Sequence, residues 1–197
     1  PELQWNRWLA TGGQFISLRV DQKPFDDLRV RRALNLAVNQ QEIVDYFYGG
    51  HAELMAYPQH PEFGEYFEPL EAMPTAVQEL FTYDPEEARR LLDEAGVPEG
   101  FSFDLQVCSC SPSHMDLVPL LESYFSRVGL KTNIETMEYA SFLSAMTTKT
   151  HGPAYLLTSG HVNPMTTIRK SFVTGQTWNP SRYSDPEFDE KVGVLHE

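Results

Sequence analysis

The 197-residue sequence contains few cysteines, no excess of basic residues and no long apolar run. Its two cysteines, Cys108 and Cys110, are too few for a disulfide framework. Fifteen basic residues against 28 acidic ones give a formal net charge of −13. No basic stripe is available to neutralise phosphates, so we expect no nucleic-acid partner. The chain also lacks the roughly 18 consecutive apolar residues that a membrane-spanning helix needs, so we predict no such helix in it.

The two cysteines are separated by one residue, and this spacing limits what they can do. If the strand predicted over residues 101–108 continues, both thiols point to one face, about 6.5–7 Å apart. A bond between them would then require distorted geometry, so the pair does not indicate a redox compartment. His114 and His161 are further ligand types for zinc, but the spacing and the absence of a second pair argue against a metal site. We predict no cofactor.

The residues that are present predict a folded α/β chain. Hydrophobic residues make up 41% of the sequence and aromatic residues 12%, which is typical of a globular core. Alternating and helical apolar periods predict strands over about 15–20, 101–108, 132–137 and 154–158, and helices beginning near 28, 84, 117, 142 and 185. The strand–helix–strand order over 101–137 predicts a parallel pair with a right-handed crossover.

Four segments resemble one protein family, in the same order along the chain. They are PFDDLRVRRALNLAVN at 24–39, YDPEEARRLLDEAG at 83–96, the strand–helix–strand region within 101–135, and YSDPEFD at 183–189. Together they resemble the C-terminal lobe of the peptide/nickel (family 5) extracellular solute-binding proteins of ABC transporters. The resemblance implies an α/β lobe of the type II periplasmic-binding fold, with a mixed sheet and flanking helices. Residues 14–197 would form this incomplete lobe, and residues 1–13 a linker or a loop from a missing lobe.

The resemblance also implies a function. The intact protein would be the substrate-binding component of an ABC importer, capturing an oligopeptide-like or other small solute between two lobes and delivering it to a membrane permease. It would catalyse no reaction and would work outside the cytoplasm, in the periplasm or as a membrane-anchored lipoprotein. The chain starts and stops in mid-pattern and contains no signal peptide, so we interpret it as an excised piece. Two alternatives are a hydrolase that uses Cys110 and a scaffold that keeps the binding fold without transport.

The first candidate ligand loop follows the strand at 101–108. In open α/β sheets, ligands bind beyond the carboxyl ends of the strands. Ser109 and Cys110 stand at that point, and His114 lies at the start of the next helix, whose free N–H groups favour an anion. The resemblance places ligand-contacting polar residues in this loop and a histidine near His114. The alternative is that the serines only cap the helix and His114 is a solvated first-turn residue.

Two further groups are candidates for ligand contact. After the strand at 154–158 come Ser159, His161 and Asn163, where the family typically has a tryptophan and an aspartate that pairs with a peptide's amino group. No acidic residue occurs from 159 to 167, which argues against binding of a free amine there because a buried ammonium needs a counter-charge. His161 either contacts the ligand, for example by coordinating the metal of a bound metal chelate, or bonds to nearby backbone. The last group either contacts a ligand or only packs the final helix; its members are Trp178, Asn179 and Tyr183.

Overall fold

A four-stranded mixed sheet forms the centre of the computed structural model, which describes residues 9–10, 12–54, 58, 60–160 and 163–194. The strand order is β1-β4-β2-β3. Strand β2 pairs in parallel with both β3 and β4, whereas β1 runs antiparallel to β4. This arrangement confirms the predicted mixed sheet. The strands are β1 (Gly13–Leu18), β2 (Ser102–Cys108), β3 (Lys131–Met137) and β4 (Ala154–Ser159).

Eight α-helices flank the sheet in the described part of the chain. They are α1 (Leu28–Leu36), α2 (Gln40–Glu42), α3 (Thr75–Gln78), α4 (Pro85–Glu94), α5 (Pro112–Arg127), α6 (Tyr139–Thr147), α7 (Pro164–Phe172) and α8 (Pro186–Val194). A π-helical turn, Ile43–Phe47, continues α2, and single 3₁₀ turns occur at Pro61–Tyr66, Leu70–Ala72 and Glu79–Phe81.

The helix starts follow from side-chain capping. Asp27, Asn39 and Asp84 accept hydrogen bonds from backbone N–H groups in the first turns of α1, α2 and α4. These bonds satisfy donors that have no partner inside the helix, which is why such residues define helix starts in the sequence. The helix starts predicted near residues 28 and 84 are confirmed. The chain leaves α4 through Gly96, whose φ of 74° is the left-handed conformation of a helix stop.

The main core lies between the sheet and helices α1, α4 and α5. Phe103, Leu105 and Val107 of β2 are at most 4% exposed and pack there. The crossover through α5 brings β3 alongside β2 over seven paired positions, which confirms the predicted parallel unit. Several boundaries differ from prediction. Strand β1 spans 13–18 rather than 15–20, because its register on β4 closes at Leu18 opposite Ala154. Helices α5 and α6 begin at Pro112 and Tyr139, before the predicted starts near 117 and 142.

One end of the sheet gathers chain segments from distant parts of the sequence. The carboxyl ends of β2, β3 and β4 all lie there, since the three strands are parallel. Strand β1 is antiparallel, so its first residue, Gly13, lies there too, opposite Ser159. We call this end, marked by Cys108, Met137, Ser159 and Gly13, the carboxyl edge.

Candidate functional site at the carboxyl edge

His114 joins the first turn of α5 to the end of β4. Its Nε2 atom lies 2.8 Å from Oγ1 of Thr158, and the residue is only 5% exposed. Burial lowers the pKa of His114, so the imidazole is neutral near pH 7. Its Nδ1 atom is buried and has no hydrogen-bond partner in the described part of the chain. The alternative that His114 is a solvated first-turn residue is therefore wrong.

A second polar connection at the carboxyl edge runs through Gln14 of β1. The Gln14 amide donates to Oγ of Ser113 at 3.2 Å and accepts from the hydroxyl of Tyr48 at 2.6 Å. Ser113 in turn lies 3.3 Å, Oγ to Oγ, from Ser111. Sequence analysis missed both Gln14 and Tyr48. No local motif marks either residue. Gln14 reaches the carboxyl edge because β1 runs antiparallel to β4, and Tyr48 joins it there by donating to the Gln14 amide.

The serine at the start of α5 does not cap the helix, which argues against the alternative that the serines only cap it. Ser111 occupies the N-cap position of α5, but its hydroxyl makes no capping bond and contacts Ser113 instead. Ser109 is exposed, and both its backbone N–H and its hydroxyl donate to the carbonyl of Met137. Ser109 therefore links the ends of β2 and β3 while its side chain stays at the surface of the carboxyl edge.

Cys108 and Cys110 form a disulfide, which corrects the prediction that their geometry opposes one. The prediction assumed a strand that continues past Cys108. Strand β2 instead ends at Cys108, and the turn that follows brings the two Cα atoms to 5.1 Å. With both sulfurs bonded, Cys110 offers no thiolate nucleophile and neither cysteine is free to hold a metal. The structure thus contradicts the alternative of a hydrolase that uses Cys110.

The loop after β4 also reaches the carboxyl edge. Ser159 is half-buried at the end of the strand. Gly12 packs so closely there that a Cβ atom on it would lie 3.1 Å from the Ser159 carbonyl oxygen. Asn163 is exposed and caps α7 through a 3.2 Å bond from the N–H of Thr166. The prediction for His161 lies outside the described residues.

The remaining predicted site residues lie at the opposite end of β4. Lys149, which precedes β4, donates to the Asn179 carbonyl. The N–H of Val20, just after the end of β1, donates to the carbonyl of Ser181. Both bonds hold the loop of Asn179 at the end of the sheet where β4 starts. This end is about 17 Å from the carboxyl edge, given the rise of a six-residue strand. The structure therefore does not bring Trp178, Asn179 and Tyr183 together with the loops after β2 and β4.

These residues have structural contacts of their own. Asn179 is 1% exposed, and its amide nitrogen lies within hydrogen-bond distance of three backbone carbonyls, those of Phe172, Val173 and Tyr183. Its carbonyl oxygen accepts from Ser181. The Tyr183 hydroxyl donates to Asp185 near the start of α8. Trp178 is 47% exposed, so among these three its side chain is the one that presents a large free surface.

Two negative findings apply to the residues that the structure describes. No group of three or more histidine, cysteine, aspartate or glutamate side chains is placed to hold a metal ion. No helix in this part of the chain is long and apolar enough to span a membrane.

Comparison with known proteins identifies the family. Residues 2–180 match the family model described as bacterial extracellular solute-binding proteins, family 5 Middle. The chain belongs to this family. A relative named heme-binding protein A, from Haemophilus influenzae, is 31% identical over 146 residues, which cover 72% of this chain and 25% of that protein. Di/tripeptide-binding protein 1 of Pseudomonas aeruginosa is 33% identical over 133 residues, covering 66% and 23%.

Solved structures show the same fold. NikA of Staphylococcus aureus, solved with Ni(L-His)2, superposes with a TM-score of 0.80 at 16% identity, covering 94% of this chain and 38% of that one. HbpA2 of Haemophilus parasuis gives 0.79 at 24% identity, covering 93% and 36%. These likenesses confirm the predicted type II periplasmic-binding fold. The chain spans about a quarter of the length of the curated relatives it matches.

Proposed function

We propose that this chain supplies one wall, in the C-terminal lobe, of the solute-binding component of an ABC importer. The observation that carries the proposal is the convergence of neutral polar side chains at the carboxyl edge. His114 meets Thr158 there, and Gln14 meets Ser113 and Tyr48. Open α/β sheets bind ligands beyond this edge of the strands. Family membership supports an extracytoplasmic location and a membrane permease as the partner of the intact protein.

The proposed mechanism involves binding without covalent chemistry. Hydroxyl, amide and imidazole groups orient the solute on this wall, and a second lobe closes over it. The closed state is favoured to the extent that the solute binds it more tightly than the open state. Five of the predicted residues belong to this proposed wall: Ser109, Cys110, His114, Ser159 and Asn163. Cys110 would contact the solute through its backbone or its disulfide. The role of His161 stays a prediction.

The solute class is an oligopeptide-like compound or another small solute. Relatives in the family are named for different ligands, among them heme, di- and tripeptides and glutathione, so membership alone does not select one. The absence of acidic residues from 159 to 167 argues against anchoring a free amine in that loop.

The proposal is tested on the full-length protein. Native mass spectrometry identifies a co-purifying solute, and calorimetry then measures its affinity for variants. We expect His114→Ala and Thr158→Ala each to weaken binding about tenfold or more, since each removes a hydrogen-bonding group from the wall.

Matched controls lie at the other end of β4. His151→Ala removes a second buried histidine and Thr150→Ala an exposed threonine, and both should leave the affinity unchanged. If the control variants lose as much affinity as His114→Ala and Thr158→Ala do, the result contradicts the placement of the site. If the full-length protein binds no small molecule at all, the transport function fails and the scaffold alternative gains support.

A further inference from the structure

A large apolar cavity reaches the carboxyl edge, where Gln14 and Thr158 belong to its lining. Its volume is about 690 Å³, and it lies between β1, helix α1, the π-helical turn and the chain at 48–54. Most of its lining consists of aliphatic and aromatic side chains, among them Ile16, Leu34, Val38, Val44, Phe125 and Leu156. Protein interiors are close-packed, with few voids larger than a water molecule. A cavity of this volume instead lies in the usual range of small-molecule pockets, about 300–1,000 Å³.

Neutral polar side chains line the part of the cavity at the carboxyl edge, which we call the mouth. Gln14, Tyr48 and Thr158 line it there. The Gln14 amide and the Tyr48 hydroxyl bond each other, and Thr158 contacts the neutral His114. Burial raises the pKa of Tyr48, so its phenol stays protonated at neutral pH. These groups can exchange hydrogen bonds with a solute but carry no charge to pair with an ion.

Two charged side chains are also part of the cavity lining. Arg31 lines the cavity, and its Nη1 donates to the backbone carbonyls of Phe25 and Asp26. Glu53 also lines it but is exposed to solvent. Glu138 follows β3 at the carboxyl edge, and its carboxylate accepts from two N–H groups at the start of α6.

We propose that the cavity receives an uncharged apolar group of the solute, and that the mouth binds a neutral amide or hydroxyl beside it. The ligand class is a neutral solute with an aliphatic or aromatic body, such as a peptide whose apolar residue is flanked by amide groups rather than by a free terminus. The reason is that burying an unpaired ammonium or carboxylate against this mouth costs far more than burying an amide that finds a hydrogen bond. This inference rests on the proposed function, since it concerns the same wall.

The first test introduces a charge at the mouth of the full-length protein. Two probes are titrated, N-acetyl-dileucine amide and free dileucine. We expect the wild type to favour the capped probe, and Gln14→Glu to shift the ratio of the two affinities at least tenfold toward free dileucine, because the new carboxylate pairs with its ammonium. Gln41→Glu, an exposed substitution of the same type, should leave the ratio unchanged.

The second test reduces the cavity. Val38→Phe should weaken binding of N-acetyl-dileucine amide at least tenfold while N-acetyl-dialanine amide is less affected, because the larger ring occupies space that the leucine side chain needs. Leu28→Phe, at the start of α1, 67% exposed and outside the cavity lining, is the control. Val44→Phe, also in the lining, replaces Val38→Phe if the latter fails to fold.

The outcomes separate this inference from the proposed function. An unchanged ratio in Gln14→Glu, or unchanged affinity for the capped dileucine in a folded cavity variant, overturns the inference. Retention of a co-purified solute by a protein that binds neither dileucine probe also overturns it and leaves the proposed function standing. Failure to bind any solute overturns both.

Discussion

At the residue scale, two buried histidines make stability depend on pH. His114 lies at the carboxyl edge and His151 at the other end of β4, and burial lowers the pKa of each. The charges of Arg19, Lys149 and Arg182 lower the pKa of His151 further, although its bond to the Gly152 carbonyl opposes them. His151 Nε2 is buried without a partner in the described part of the chain. Both histidines are therefore held in their neutral form by the fold.

The free energy of unfolding should fall as the pH falls below about 6.5, the ordinary value for histidine. The unfolded chain then binds protons that the folded chain still excludes, and this difference favours unfolding. Each histidine lowers the free energy of unfolding by at most about 1.4 kcal/mol for each pH unit of acidification. Urea denaturation at pH 7.5, 6.5 and 5.5 measures the dependence. His151→Phe keeps a ring against Tyr155 but cannot titrate, so it should flatten the curve, and an unchanged slope would contradict this account.

At the element scale, one lysine ties the turn between α6 and β4 to the loop before α8. The Lys149 ammonium donates to the backbone carbonyls of Gln176, Thr177 and Asn179 at 2.6–3.0 Å. Arg182 completes the connection by donating to the Lys149 carbonyl. The loop at 173–183 has no regular secondary structure, so these bonds and those of Asn179 hold it in place. The ammonium acts as a common donor for three carbonyls that no helix or strand satisfies.

Lys149→Met should destabilise the protein by about 2–3 kcal/mol, because hydrogen bonds to a charged group are strong and Lys149 makes three of them. Thermal or urea denaturation measures the change. Lys191→Met is the matched control, since Lys191 pairs only with Glu187 on the exposed face of α8 and should cost less than about 1 kcal/mol. Equal losses in the two variants would mean that the three carbonyls do not depend on Lys149.

At the scale of the whole molecule, the proposed function gives this chain one side of a binding site. The apolar cavity reaches the carboxyl edge, and small-molecule sites normally bury most of the ligand surface. A lobe with a single wall leaves much of a solute in water. The chain covers 25% of the heme-binding relative and 23% of the dipeptide-binding one, which leaves room for a second wall in the longer proteins.

We therefore expect the 197-residue chain alone to bind the co-purified solute at least about 100-fold more weakly than the full-length protein does, a difference of about 2.7 kcal/mol in binding free energy. Parallel calorimetric titrations of both proteins with the same solute make the comparison, with circular dichroism to show that the shorter chain is folded. Equal affinities would show that the wall described here is the whole site.

Most helix starts, the strands and the family could be predicted from the sequence. Helix starts at Asp27, Asn39 and Asp84 depend on bonds to residues two or three positions away, so their spacing is visible in the chain. The parallel pairing of β2 and β3 follows from the length and handedness of a single crossover. The four segments that resemble family 5 are likewise local strings, and the family match over residues 2–180 covers the first three and confirms the family.

Which residues meet at the carboxyl edge could be learned only from the three-dimensional structure. The bond from Gln14 to Ser113 joins positions 99 apart, and the contact of His114 with Thr158 joins positions 44 apart. Such pairs depend on strand order and direction, which no local period encodes, and the antiparallel placement of β1 beside β4 brings in Gln14 and Tyr48. The same long-range packing puts Asn179 and Tyr183 at the far end of β4. A tight turn after β2, rather than a continued strand, allows the disulfide between Cys108 and Cys110.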